Sequence, residues 1–260
     1  MPELIEADLY RVALDGAVGR RIVSVELDTP SYLRFGPSDG SAAAAMLVGE
    51  TIVAVRRHGK VVVVEFSSGL TLAARFGMTG RVIVDGVAPI EALEYGPKRD
   101  DRRWDRAVLR CDGGGVVRFN DPRKLGSLEL DADLSRLGPD AATISTEALA
   151  EALRTTMAVK AALLDQSRVA GLGNLLGDDA LYRAGLAPTR RSCDLSDAET
   201  EALAEAIRRS ISELSDRGGS HRGDLQPQRH RDGRCPLDGA RLSRAAVGGR
   251  TTYWCPHHQR

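Results

Sequence analysis

The chain opens Met1-Pro2-Glu3-Leu4, so removal of Met1 would expose a proline with a free secondary amine. Such an amine attacks a sugar or carbonyl carbon to form a cationic iminium, which has the electron-sink character of a lysine Schiff base. An α-amino group titrates at roughly 7.7–8.0, so a useful fraction is unprotonated near neutral pH. Pro2 is therefore a candidate nucleophile, on the expectation that Met1 is cleaved.

A second chemistry is written near the other end. Cys235-Pro-Leu-Asp238 and Cys255-Pro-His-His258 are separated by sixteen residues and frame a hairpin of ribbon size. Thiolate, carboxylate and imidazole all bind zinc, and four tetrahedral ligands can fix a loop too small to have its own core. The expected set is Cys235, Asp238, Cys255 and His258 around one structural Zn2+. Two alternatives stay open: His257 replaces Asp238 or His258, or the hairpin is metal-free and packed by Tyr253 and Trp254.

Between two expected helices lies Val169-Ala170-Gly171-Leu172-Gly173-Asn174. Its glycines permit a tight turn that aims backbone N–H groups at a helix start, where a phosphate fits. Asn174 adds an amide donor, and Lys160 can bring its charge to the same backbone. Arg57-His58-Gly59-Lys60 puts a cation on a strand-connecting turn. Gly77-Met78-Thr79-Gly80 and Asp121-Pro122-Arg123-Lys124-Leu125-Gly126 place Met78 and Leu125 on loops, where apolar wedges of the kind inserted into a base stack would sit.

These groups need a scaffold. Apolar spacing over Ile5–Leu14 predicts an amphipathic helix with Pro2 and Glu3 at its edge. β-Branched runs at Arg20–Leu27, Thr51–Arg56, Val61–Phe66, Leu70–Phe76, Arg106–Cys111 and Val116–Phe119, parted by glycine turns, read as a β-sandwich. Helical spacing follows at Thr146–Met157, Val159–Gln166, Asn174–Ala184 and Ser196–Asp216, the last with Ser196 as N-cap and Glu199 three residues on. The class is α+β: an N-terminal catalytic β-sandwich with its helix over 1–130, a hinge over 131–145 around Leu137-Gly138-Pro139-Asp140, a helical domain over 146–228 and a zinc-finger β-hairpin over 229–260.

Thirty-six basic and 36 acidic residues cancel over the 260-residue chain. The distribution does not: Arg217–Arg260 holds nine arginines and no lysine against Asp224, Asp232 and Asp238, a basic field suited to phosphates. No apolar run spans a bilayer and no leader precedes Pro2, so a cytoplasmic protein is expected. Four scattered cysteines make no disulfide framework.

Taken together, Pro2-Glu3 with Glu6, His58-Gly59-Lys60, Gly77–Gly80, Asp121–Gly126, Leu164-Asp165-Gln166 through Asn174, and Gly249-Arg250-Thr251 through Cys255 resemble the formamidopyrimidine-DNA glycosylase and endonuclease VIII family nearly end to end. The resemblance implies a helix–two-turns–helix in the helical domain and a bifunctional glycosylase and abasic-site lyase, monomeric, acting on damaged double-stranded DNA. It implies that Pro2 attacks the sugar C1′, that Glu3 is the acid/base, and that Lys60 holds the phosphate beside the lesion, with β- and then δ-elimination. It gives Lys160, Asn174 and Arg250 neighbouring phosphates, Met78 and Leu125 the emptied space, and Arg123 the orphaned base. Departures are Ile5 for proline, Leu125 for phenylalanine, Asp179 for glutamate, and only fifteen residues between Gly219 and Cys235. The lid that closes over 8-oxoguanine in one branch is thus shortened, which turns the expectation toward ring-opened purines, oxidised pyrimidines, hydantoins or bulky alkylated bases. A lesion-binding protein without base excision is the competing class.

Overall fold

The structure is a computed structural model describing residues 2–36, 40–90, 93, 96, 97 and 99–260. Met1, and with it the expected cleavage, lies outside the described residues. In chain order the first half contains α1 (Leu4–Asp15), β1 (Ile22–Leu27), β2 (Leu33–Arg34), α2 (Gly40–Leu47), β3 (Ile52–His58), β4 (Val61–Phe66), β5 (Thr71–Arg75), β6 (Arg81–Val84), β7 (Asp105–Cys111), β8 (Val116–Asn120) and β9 (Ser127–Leu130). The second half contains α3 (Thr146–Ala152), α4 (Val159–Leu164), α5 (Asn174–Ala184), α6 (Asp197–Asp216), β10 (Ser243–Val247) and β11 (Arg250–Trp254).

The β-branched runs pair into two sheets, one ordered β1-β7-β8-β6 and one ordered β2-β9-β5-β4-β3. Alternation sends Val62, Val64, Leu72 and Ala74 from one sheet, and Ala107, Leu109, Val117 and Phe119 from the other, into a single core with Tyr10 and Leu14 of α1. Each large side chain so buried contributes about 1.5–3 kcal/mol. The expected β-sandwich is present. β2, α2, β6 and β9 were not read from the sequence.

The chain divides into two compact units, one holding residues 1–2 and Glu6–Leu134, the other Glu3–Ile5 and Ser135–Arg260. Within the second unit, Leu4 and Ile5 are buried in a core with Leu163, Leu172, Leu176 and Ile207. In the segment expected as a hinge, Ala141 N–H donates to Ala170 O and Ala170 N–H to Pro139 O.

Two helices are shorter than expected. α3 stops at Ala152 rather than Met157, since the following residues turn extended and bond to 190–193: Ser192 N–H donates to Met157 O and Val159 N–H to Arg190 O. α4 stops at Leu164 because the Asp165 side chain accepts from Ser167 N–H and Oγ, an Asx turn that competes with the helix. α6 begins as expected, with a Ser196/Glu199 capping box.

Candidate functional site

The N-terminal segment is held by its second residue after Met1. The Glu3 side chain is 0% exposed, and its carboxylate accepts N–H groups of Gly173 (2.9 Å), Leu175 (2.9 Å) and Leu176 (3.1 Å). Those are the orphan donors at the start of α5, where the helix dipole favours an anion. Leu4 N–H donates to Gly171 O at 3.1 Å, so the segment is stitched down on both sides. The glycines are there to let it approach: a methyl at Gly173 would stand 2.2 Å from the Glu3 carboxyl carbon, and one at Gly171, with φ +112, 2.6 Å from a Leu4 methyl. The expectation that this glycine turn offers its N–H groups to a phosphate is thereby corrected, because the anion seated there is Glu3. Pro2 is buried.

Lys160, expected to reach a phosphate, is 0% exposed; Nζ donates to Asn174 Oδ1 (2.8 Å) and Thr252 Oγ1 (2.6 Å) and pairs with Asp178 at 2.6 Å. Burial, then Arg229, with Arg250 adding and Glu3 opposing, lowers its ammonium to about 7. Asp178 is also paired with Arg229, which donates to Thr251 O and lies over the Tyr253 ring. Asn174, first residue of α5, stays partly exposed, and Arg250 is exposed at the start of β11. Gly248 lies against Ala161 of α4, which seats the hairpin turn that carries Arg250.

In the first unit, the loops carrying Met78 and Leu125 are interlocked by one carboxylate. Asp121, fully buried, accepts from Thr79 Oγ1 (2.6 Å), Arg123 N–H (3.2 Å) and Gly126 N–H (2.8 Å). Gly77 adopts φ +55 and packs so closely that a methyl there would stand 2.4 Å from Leu125 O. The loops thus present Met78, Arg123 and Leu125 as one group: Arg123 Nη1 lies 3.7 Å from Met78 Sδ, and Leu125 is 51% exposed. Lys60 is in the turn between β3 and β4, tightened by Gly59 at φ +57 and by Arg57 donating to Gly59 O at 2.9 Å.

The hairpin residues converge as expected. Ligand atoms of Cys235, Asp238, Cys255 and His258 all lie within 4.8 Å of one another. Cys235 Sγ stands 3.5 Å from His258 Nδ1, and Cys255 Sγ 3.2 Å from Asp238 Oδ2. A tetrahedral ion with bonds of about 2.3 Å to sulfur and about 2.0 Å to nitrogen or oxygen places such atoms about 3.5 Å apart, so the set fits zinc. Among the described residues, Tyr182, Leu225, Cys235, Leu242 and Cys255, with Ala240 and Tyr253, form a small apolar cluster beside these ligands. His257 is 70% exposed and 3.7 Å from Asp238, outside the four.

Asp179 is committed elsewhere in the second unit. Its carboxylate accepts from Arg183 Nε (2.6 Å), Ser210 Oγ (2.7 Å) and Asp224 N–H (3.3 Å). The short segment before Cys235 is therefore tied to α5 and α6, and Leu225 within it is buried against the hairpin. Asp178, Arg229 and Thr252 were missed by sequence reading. Only Asp178 had a signal, four residues after Asn174 and thus on the same helix face.

A two-sheet unit with two interlocked loops, and a helical unit with an anion-seating helix start and a Cys/Asp/Cys/His hairpin, define an α+β protein. Residues 1–128 match the formamidopyrimidine-DNA glycosylase N-terminal domain and residues 137–222 the formamidopyrimidine-DNA glycosylase H2TH domain. Over full length on both sides the chain is 35% identical to a formamidopyrimidine-DNA glycosylase of Rhodopseudomonas palustris, and over 98% of each it is 32% identical to one from Bacillus subtilis. Among solved structures, a complex of the LlFpg protein with a THF-DNA and an inhibitor matches with TM-score 0.82, 26% identity and complete coverage of both chains. Wild-type Lactococcus lactis Fpg with DNA containing N7-benzyl-Fapy-dG matches with TM-score 0.82, 25% identity and complete coverage of both chains. The chain belongs to the formamidopyrimidine-DNA glycosylase family, and it is a DNA glycosylase of base-excision repair.

Proposed function

We propose that this enzyme excises damaged bases from double-stranded DNA and then cleaves the abasic site through an iminium on Pro2. The observation that carries the reading is the seat of Glu3: a fully buried carboxylate on three backbone donors fixes the residue next to Pro2. The Pro2 amine, freed by loss of Met1, bonds to the sugar C1′ as the C1′–base bond breaks and the base departs with a proton. Loss of the nitrogen proton and ring opening give the iminium, which withdraws electrons for β- and then δ-elimination. Glu3 manages the sugar hydroxyl and ring oxygen as acid/base. Lys60, on its tightened turn, holds the adjacent phosphate and offsets charge on the leaving group.

In this reading Asn174 and Arg250 take neighbouring phosphates, Met78 and Leu125 occupy the space left by the extruded nucleotide, and Arg123 faces the orphaned base. The exposed Leu125 and the Arg123–Met78 contact support that assignment. Cys235, Asp238, Cys255 and His258 hold one zinc ion, which supplies no chemistry to the reaction and stabilises the hairpin carrying Arg250. Residues 1–130 serve as catalytic β-sandwich, 131–145 as connection, 146–228 as helix–two-turns–helix domain and 229–260 as zinc finger. The enzyme works as a cytoplasmic monomer. The tied-down segment before Cys235 supports substrates that need no long lid: ring-opened purines, oxidised pyrimidines, hydantoins or bulky alkylated bases.

Borohydride reduction with duplex DNA carrying one abasic site tests the core of this. A covalent protein–DNA adduct is expected, lost in Pro2→Gly while DNA binding is retained. Unchanged strand cleavage by Pro2→Gly would overturn the mechanism.

A further inference from the structure

Lys160, Asp178 and Arg229 form an ionic cluster inside the second unit, and its chemistry dictates the orientation of a neighbour. An ammonium has only N–H groups, so the Asn174 atom 2.8 Å from Lys160 Nζ must be the carbonyl oxygen. The Asn174 amide nitrogen, with its two donors, is thereby turned the other way. Lys160 also donates to Thr252 Oγ1, two residues from Arg250, and Arg229 donates to Thr251 O, one residue from it. Asp178 joins both cations, with Lys160 on Oδ1 and Arg229 on Oδ2. One carboxylate on α5 therefore sets the side chain at the start of that helix and ties down the strand that begins with Arg250.

We infer that Asp178 and Arg229 are positioning residues for DNA binding: through Lys160, Thr251 and Thr252 they fix the Asn174 amide and the Arg250 strand in register for consecutive phosphates. Neither touches the nucleic acid. The inference rests on the proposed DNA-binding roles of Asn174 and Arg250. Lys160, wholly enclosed, acts on Asn174 and Thr252 instead of on a phosphate.

The test is a salt titration of binding by the full-length chain to a duplex carrying a tetrahydrofuran abasic-site analogue. Each phosphate contact contributes about 0.9 to the slope of log K against log salt. Asp178→Asn and Arg229→Gln are each expected to weaken binding about tenfold and to lower the slope by about one. In an Asn174→Ala background, the further loss from Asp178→Asn should shrink to about twofold, because part of what Asp178 fixes is already gone. Melting curves establish that the variants are folded, and if Asp178→Asn is not, Arg229→Gln carries the same comparison from a side chain nearer the surface.

Full multiplicative losses in the Asn174→Ala background, or an unchanged slope in folded single variants, would overturn the inference. Failure of the wild-type chain to bind the duplex would instead overturn the functional reading, and this inference with it. Arg250→Ala, measured alongside, must itself lower the wild-type slope.

Discussion

Replacing Gly173 by alanine tests the seat of Glu3 most directly. The added methyl would stand 2.2 Å from the carboxyl carbon, 2.4 Å from Oε1 and 2.7 Å from Cγ of Glu3. Contacts that short cannot be kept, so the carboxylate must leave α5. Three hydrogen bonds to a charged acceptor go with it, each worth about 1.5–3 kcal/mol, which sets a ceiling of about 5–9 kcal/mol. Part returns as Glu3 and the freed N–H groups find water, so the expected loss of stability is about 3–5 kcal/mol. Denaturant unfolding measures it, and borohydride trapping on abasic DNA under conditions where the variant is still folded measures the consequence for Pro2. Trapping should fall at least tenfold. Glu3→Gln separates fit from charge: it keeps the volume, but one accepting oxygen becomes an NH2 facing a backbone donor, so it should lose stability without any steric clash. A Gly173→Ala protein that unfolds like wild type and traps at the wild-type rate would refute the reasoning.

Three further outcomes follow. Metal analysis should find one zinc per chain, lost in Cys255→Ser with a drop in hairpin protection from amide hydrogen exchange; a metal-free chain with full protection would remove the zinc reading. Leu125→Ala should cost little stability, since the side chain is half exposed, yet slow excision of a damaged base far more than cleavage of a preformed abasic site, and equal slowing of both would deny the wedge role. Lys160 titrates lower in the folded chain, at about 7, than its ordinary 10.5. Between those values the unfolded chain binds more protons, so this group makes stability rise with pH across the window and adds no slope below it. Unfolding free energies of wild type and Lys160→Met, compared across that window, should diverge in that sense; parallel curves would contradict it.

How far the sequence reveals these arrangements depends on the distance over which each is made. The sandwich strands, the start of α6 and the Cys235/Asp238 and Cys255/His258 pairs are local in period, cap or spacing, and they were legible. The end of α3 was not, because the pairing that draws 155–159 out of the helix is supplied by residues 190–193. Nor was it legible that Glu3–Ile5 group with Ser135–Arg260 in one compact unit.

The misread glycine turn explains why site residues are harder still. Gly171-Leu172-Gly173 before a helix says that something negative or bulky approaches the backbone, and a phosphate is the usual guess. What approaches is Glu3, 170 positions earlier in the chain. The same logic governs Asp121 and Lys160. Each is charged and enclosed, and each spends its charge on the chain: Asp121 on two loop amides and Thr79, Lys160 on Asn174, Thr252 and Asp178. Burying such groups unpaired would cost several kcal/mol, so their partners must be in place before any DNA arrives. On the proposed reading, the groups that face DNA, among them Arg123, Leu125, Asn174 and Arg250, are in turn carried on loop ends, a helix start and a hairpin fixed by those charges. Preorganisation of this kind removes ordering cost from the binding step. Mutating the enclosed charges should therefore change how well the exposed groups act together, while mutating an exposed group removes only its own contact.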